Sequence, residues 1–159
     1  MIGAGNLAQL NSTERFQQLS YCYESEGLVS LFTVYNNLAI PLLYHGLYSP
    51  KEIDRRIHET AEQLEISQLL EREPFQLNDV QKRLVNLARA LVVGANVILV
   101  DEIQTGMSAE MVAQMSALLQ EQAERGVTVI MINTLGDEDR FAHNRLQICN
   151  RTLEQRALQ

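Results

Sequence analysis

Leu77-Asn78-Asp79-Val80-Gln81-Lys82-Arg83-Leu84-Val85-Asn86-Leu87-Ala88-Arg89-Ala90-Leu91-Val92-Val93-Gly94-Ala95-Asn96-Val97-Ile98-Leu99-Val100-Asp101-Glu102-Ile103-Gln104-Thr105-Gly106-Met107-Ser108 holds the change of period on which the fold turns. Asn78 is a good helix cap, and Leu84, Val85, Ala88, Leu91 and Val92 recur at helical spacing, so a helix is expected from about Asn78 to just before Gly94. The period then breaks. Val97 to Val100 is a continuous apolar run, which suits a strand covered on both faces, and it stops at the acid pair Asp101-Glu102. Ser108 can cap a second helix with the face Met111, Val112, Met115, Leu118 and Leu119, which Gly126 would end. Val127 to Ile132 is a second apolar, β-branched run. Strand, helix, strand from Val97 to Ile132 is a βαβ unit, which predicts two parallel neighbours and a right-handed crossover.

Working outward, Ser49-Pro50-Lys51-Glu52 predicts a helix start with Ser49 as cap, Pro50 at the first helical position and Glu52 closing a capping box. Ile53, Ile57, Ala61 and Leu64 form its apolar stripe, to about Glu65. Residues 66–70 continue or restart it before Pro74. Leu19 to Tyr23 and Leu146 to Cys149 are candidate strands. All five tyrosines fall between Tyr21 and Tyr48, a density that ordinary core and rim packing explains more readily than recognition does.

Composition narrows the classes. With 159 residues, 46% of them hydrophobic, the chain can bury one core. Its net charge of −7 and only two lysines leave no basic stripe for phosphates, so no nucleic-acid partner is expected. No apolar run approaches membrane-spanning length, and residues 1–20 lack a signal-peptide pattern. Cys22 and Cys149 are isolated in sequence, with no metal-ligand spacing, which fits a reducing cytoplasm. His45, His58 and His143 accompany no nucleophile signature and read as surface or capping residues. The acids of residues 121–124 and 137–139 read as solvated charge.

Asp101-Glu102 stands at the carboxyl end of a strand, where parallel sheets hold ligands, although two acids also end many solvated strands. Its neighbours add weight. The quoted stretch resembles the nucleotide-binding domain of ABC transporters, with its LSGGQ signature, LARAL helix, apolar strand ending in DE, and PTSGLD loop. Anchored on Leu87-Ala88-Arg89-Ala90-Leu91, the signature falls on Leu77 to Gln81, the Walker B strand on Ile98 to Glu102 and the D-loop on Thr105 to Ser108, without a gap. Tyr21-Cys22-Tyr23-Glu24 is similar to the Q-loop, residues 27–37 to the segment after it, and Pro41-Leu42-Leu43-Tyr44-His45-Gly46 to the start of the helical subdomain, especially in lipid-type bacterial importers. Val127 to Thr134 resembles the strand before the switch histidine, and Asn144-Arg145 the pair before the last strand. The resemblance implies an α/β fold: a partial P-loop-NTPase-like parallel sheet with an inserted helical subdomain. It implies one domain over 1–159, with the helical part at about 36–85 and the α/β core at about 86–150.

The chain departs from that pattern at chemically telling places. No Gly-x-x-x-x-Gly-Lys-Ser/Thr phosphate cradle occurs in it; against the family it begins just after the P-loop helix. The Q-loop glutamine corresponds to Glu24, and the Ser-Gly-Gly of the signature to Asn78-Asp79-Val80, followed by the matching Gln81. Asp79 would bring negative charge toward a phosphate, and Val80 a branched side chain where glycine permits close approach. The D-loop aspartate is Ser108 and the switch histidine Leu135. Only Asp101, at the magnesium position, and Glu102, at the general-base position, keep the family's chemistry.

Phosphoryl transfer is mostly positioning and electrostatics, so these losses outweigh the retained base. The expectation is a degenerate cassette subunit, unable to hydrolyse ATP alone and needing no cofactor by itself. It would pair with an intact ATPase and a permease, the latter docking through about Tyr21 to Tyr48, at the cytoplasmic side of the membrane. The alternatives are an ATP-hydrolysing subunit whose P-loop lies upstream, in which case Mg-ATP is the cofactor, and a free regulatory protein on the same scaffold.

Overall fold

Side-chain caps set where the helices begin in the computed structural model, which describes residues 7–24, 27–132, 142–149 and 152–156. Helix α1 (Ser12–Gln18) starts at Asn11, which exchanges hydrogen bonds with Glu14 in a capping box, and β1 (Leu19–Cys22) follows it directly. Thr33 caps α2 (Val34–His45), and Gly46 closes it at φ 62°, a left-handed position that suits glycine. Ser49 caps α3 (Pro50–Gln63) as expected, by accepting from the Glu52 amide. The other half of the predicted capping box does not form. The Glu52 carboxylate instead binds Arg55 at 2.6 Å and Arg56 at 2.9 Å, because two cations within one turn outcompete a neutral amide. Short 3-10 turns at Ser67–Leu69 and Pro74–Gln76 lead to α4 (Asp79–Val92).

Next come β2 (Val97–Asp101), α5 (Ala109–Glu124) and β3 (Thr128–Ile132). The three strands form one parallel sheet in the order β1-β2-β3, so the βαβ reading and the α/β class are correct. The strand expected at Leu146 to Cys149 exists as β4 (Arg145–Cys149), but it pairs antiparallel with β5 (Thr152–Arg156) in a separate hairpin.

Register and burial distinguish the two sheet faces. Ser20, Ile98 and Val129 share one face with Cys22, Val100 and Met131, since side chains alternate along each strand. That face packs on the helices. Ser20, Cys22, Ile98 and Val100 are buried, and a single apolar core continues from them through Val85 and Leu87 of α4 and Met115 and Leu119 of α5. It reaches Val34, Leu38 and Leu42 of α2 and Ile53 and Ile57 of α3. Each such side chain contributes about 1.5–3 kcal/mol on burial.

The opposite face carries Tyr21, Leu99 and Ile130 in one row and Asp101 beside Ile132 in the next. Here β3 differs from β2, the strand expected to be covered on both faces. Ile130 is 46% and Ile132 51% exposed, so β3 alternates between a packed and an open side.

Candidate functional site

The carboxyl ends of β1 and β2 bring Glu24 and the Asp101-Glu102 pair to one edge of the sheet. Asp101 is half-buried at the last position of β2, and its Oδ2 accepts a hydrogen bond from the Tyr21 hydroxyl at 2.7 Å. Tyr21 lies beside Leu99 in register, two residues before Asp101, on the same face. A long side chain spans that diagonal. The Tyr23 ring sits 4.5 Å from the Tyr21 ring. The bond to Asp101, with partial burial and the nearby carboxylate charge, holds the Tyr21 hydroxyl's pKa above its ordinary value.

Glu102 turns the chain. Its φ of 42° lies in the left-handed region, uncommon for a residue with a side chain, and its amide donates to the Ile132 carbonyl at 3.0 Å. Ile103, fully buried, anchors the turn from below, and the Thr105 hydroxyl reaches back to the Glu102 carbonyl at 3.4 Å. The tight turn that presents Glu102 is thus over-determined by its neighbours.

Arg83 ties this turn to the first strand. It donates to the Thr105 carbonyl, and its guanidinium pairs with Glu24 at 3.9 Å. The Arg83 side chain is 11% exposed and its Nε has no partner among the described residues. A Cβ at Gly106 would meet Arg83 at 3.6 Å and Val80 at 3.9 Å, so Val80 packs toward the D-loop turn. Arg89 similarly donates to the carbonyl of Gly27, after the Q-loop position. Burial lowers its pKa. Beneath Tyr23, burial pushes the Cys22 thiol up to about 12, which keeps it protonated and unreactive.

The remaining sequence candidates do local structural work. Asn78 caps α4: its Oδ1 accepts from the Gln81 amide at 2.8 Å, and its own amide donates to the Gln81 side chain at 3.0 Å. Asp79 lies in the first turn, where its charge suits the helix dipole, with Lys82 3.8 Å away. Ser108 caps α5 by accepting from the Met111 amide at 3.2 Å. Leu135 lies outside the described residues.

A magnesium ion held with nucleotide takes one or two carboxylates plus phosphate oxygens and waters. Asp101 supplies one carboxylate, already engaged by Tyr21, and Glu24 is drawn toward Arg83. Among the described residues no group of three His, Cys, Asp or Glu could hold a metal ion. The residues present do not fit a metal site by themselves.

A second surface lies before and along α2. Leu31 is 84% and Tyr44 79% exposed, and Val29, Phe32, Leu43 and Leu47 are exposed with them. Asn37, fully buried, shapes this surface from within. Its Oδ1 accepts from the Val29 amide at 2.7 Å, and its Nδ2 lies 3.0–3.1 Å from the carbonyls of Val29, Phe32 and Thr33. Neither the bond from Tyr21 to Asp101 nor the contacts of Arg83 and Asn37 were legible in the sequence. An arginine and a hydroxyl near the matched motifs were visible, but their partners depend on strand register and on the path of the loops. Among the described residues no helix is long and apolar enough to cross a membrane.

Known proteins bear on this arrangement. The family model described as ABC transporter matches residues 4–105. The trehalose/maltose import ATP-binding protein MalK of Thermococcus litoralis is 33% identical over 136 residues, which are 85% of this chain and 36% of that protein. The methionine import ATP-binding protein MetN 1 of Pseudomonas savastanoi is 32% identical over 77% of this chain and 37% of its own length. The chain therefore spans a little over a third of these curated relatives. Among solved structures, the ATP-binding cassette MJ0796 in a dimeric post-hydrolysis state bound to ADP and Pi superposes with a TM-score of 0.81 at 22% identity. The match covers 92% of this chain and 68% of that one, and it shows the shared fold. With a family model matched over residues 4–105 and a relative 33% identical across most of the chain, the chain belongs to the ABC transporter family.

Proposed function

We propose that this chain is a degenerate ATP-binding-cassette subunit of a membrane transport complex, one that does not hydrolyse ATP by itself and acts by pairing with an intact ATPase subunit and a permease. The observation that carries the reading is the engagement of two acids of the candidate site, the retained Asp101 and the substituted Glu24. Asp101 is bonded to Tyr21 and Glu24 is paired with Arg83, while Asn78 and Ser108 serve as helix caps. Glu102 keeps the general-base position, but a base without a held phosphate has no substrate to act on. The apolar surface from Val29 to Leu47 suits the permease as partner, since exposed apolar clusters mark interaction sites. On this reading the chain sits at the cytoplasmic side of the membrane through its permease. The relatives are named for sugar and methionine import, which supports a small-solute importer over the lipid-type importer suggested by residues 41–46.

The test is affinity capture of the tagged chain from detergent-solubilised membranes. Recovery of a permease and a second cassette ATPase is expected; recovery of neither contradicts the proposal. A free regulatory protein on the same scaffold would instead stay in the supernatant when membranes are sedimented.

A second reading is an ATP-hydrolysing cassette of which this is a piece, with Mg-ATP as cofactor. The open sheet face at Tyr21, Ile130 and Ile132 favours it, because a further helix and strand would cover those side chains. It requires a phosphate loop in the same protein and Mg-ATP turnover abolished by Glu102→Gln.

A further inference from the structure

Tyr21 and Asp101 are 80 residues apart, yet the parallel register sets them on one sheet face within reach of each other. Tyr21 is 36% exposed, so water is available to its hydroxyl. The hydroxyl nevertheless lies 2.7 Å from Asp101 Oδ2, a well-formed O–H···O hydrogen-bond distance. The Tyr23 ring, 4.5 Å away, flanks the Tyr21 ring, and Leu99 lies beside Tyr21 in register. These neighbours restrict the ring's motion, so the hydroxyl is presented to the carboxylate.

A divalent cation and a phenolic hydroxyl seek the same lone pairs of a carboxylate. We infer that Tyr21 is a positioning residue that occupies Asp101 in place of a metal-bound water, so that a cation reaches this carboxylate only by displacing the tyrosine. The inference rests on reading Asp101 as the cassette's metal position. It turns the poor fit of the acids to a metal into a specific cause: a resident hydrogen-bond donor on the sheet face. Phenylalanine at position 21 would keep the ring and remove only the donor.

The test titrates the isotope-labelled full chain with Mn2+ alone, following paramagnetic broadening of the amide signals of Val100 to Glu102. Tyr21→Phe is expected to reach a given broadening at roughly threefold to tenfold less Mn2+ than the unchanged chain, and Tyr23→Phe to behave like the unchanged chain. Equal or weaker response in Tyr21→Phe overturns the inference, as does an equal gain in Tyr23→Phe. Should Tyr21→Phe not fold, the unchanged chain decides. With label at tyrosine Cζ, the Tyr21 signal must move as Mg2+ occupies Asp101, and occupancy without movement overturns the inference. Because metal alone is the probe, the outcome is independent of permease capture. A chain that recovers no permease but gains Mn2+ affinity in Tyr21→Phe loses the proposed function and keeps this inference.

Discussion

Asn37 concentrates four polar contacts on one fully buried amide, fastening residues 29–33 to the first turns of α2. Removing the side-chain amide orphans the Val29 amide and the Phe32 carbonyl, while the carbonyls of Val29 and Thr33 keep the backbone amides of Phe32 and Asn37 as donors, and polar groups left without partners are costly. Asn37→Ala should lower unfolding stability by about 2–3 kcal/mol, read as a lower urea midpoint at unchanged slope. A loss below about 0.5 kcal/mol would show that water replaces these contacts. Arg83 and Tyr21 work differently: each joins segments far apart in the chain, so neither could be assigned a partner without strand order and register.

At the scale of elements, caps govern α4 and α5. Asn78→Ala should cost about 1 kcal/mol, since the capping box with Gln81 satisfies two end amides. An unchanged melting curve would refute its role as cap. On α3, the Glu52 carboxyl is held well below its ordinary 4.5, at about 2, chiefly by the Arg55 hydrogen bond, helped by Arg56. A pKa lower in the folded chain means that the pairing stabilises above about pH 4.5 and its contribution is lost as pH falls toward 2. Glu52→Gln should therefore flatten the acid limb of the stability profile between those values. The change will be small because the pair is exposed. An unaltered acid limb would contradict the shift.

These elements also separate what periodicity reveals from what it hides. Ser49-Pro50, the apolar stripe of α3, the run at Val97 to Val100 and the Ser108 cap all mark their elements locally, and the structure follows them. The seven-residue α1 buries no side chain, so it offers no apolar stripe to find. The hairpin of β4 and β5 runs through polar, charged sequence at Thr152–Arg156. Nor could the composition of β3 tell that one of its faces stays open, because covering a strand depends on what packs over it. Asp101, Glu102, Glu24, Asn78, Val80 and Ser108 were singled out as candidates through motif spacing. The partners that redirect them were not.

For the whole molecule, the fold is shared with an ATP-binding cassette and encloses one apolar core among the described residues, while Asp101 and Glu24 at the sheet edge are engaged by the chain's own side chains. On the proposed reading the scaffold outlasts the nucleotide grip, because core packing depends on buried apolar side chains such as Leu38 and Ile57. Calorimetric titration of the purified chain with Mg-ATP tests this most directly. The account predicts no saturable heat up to millimolar nucleotide; a micromolar dissociation constant would contradict it.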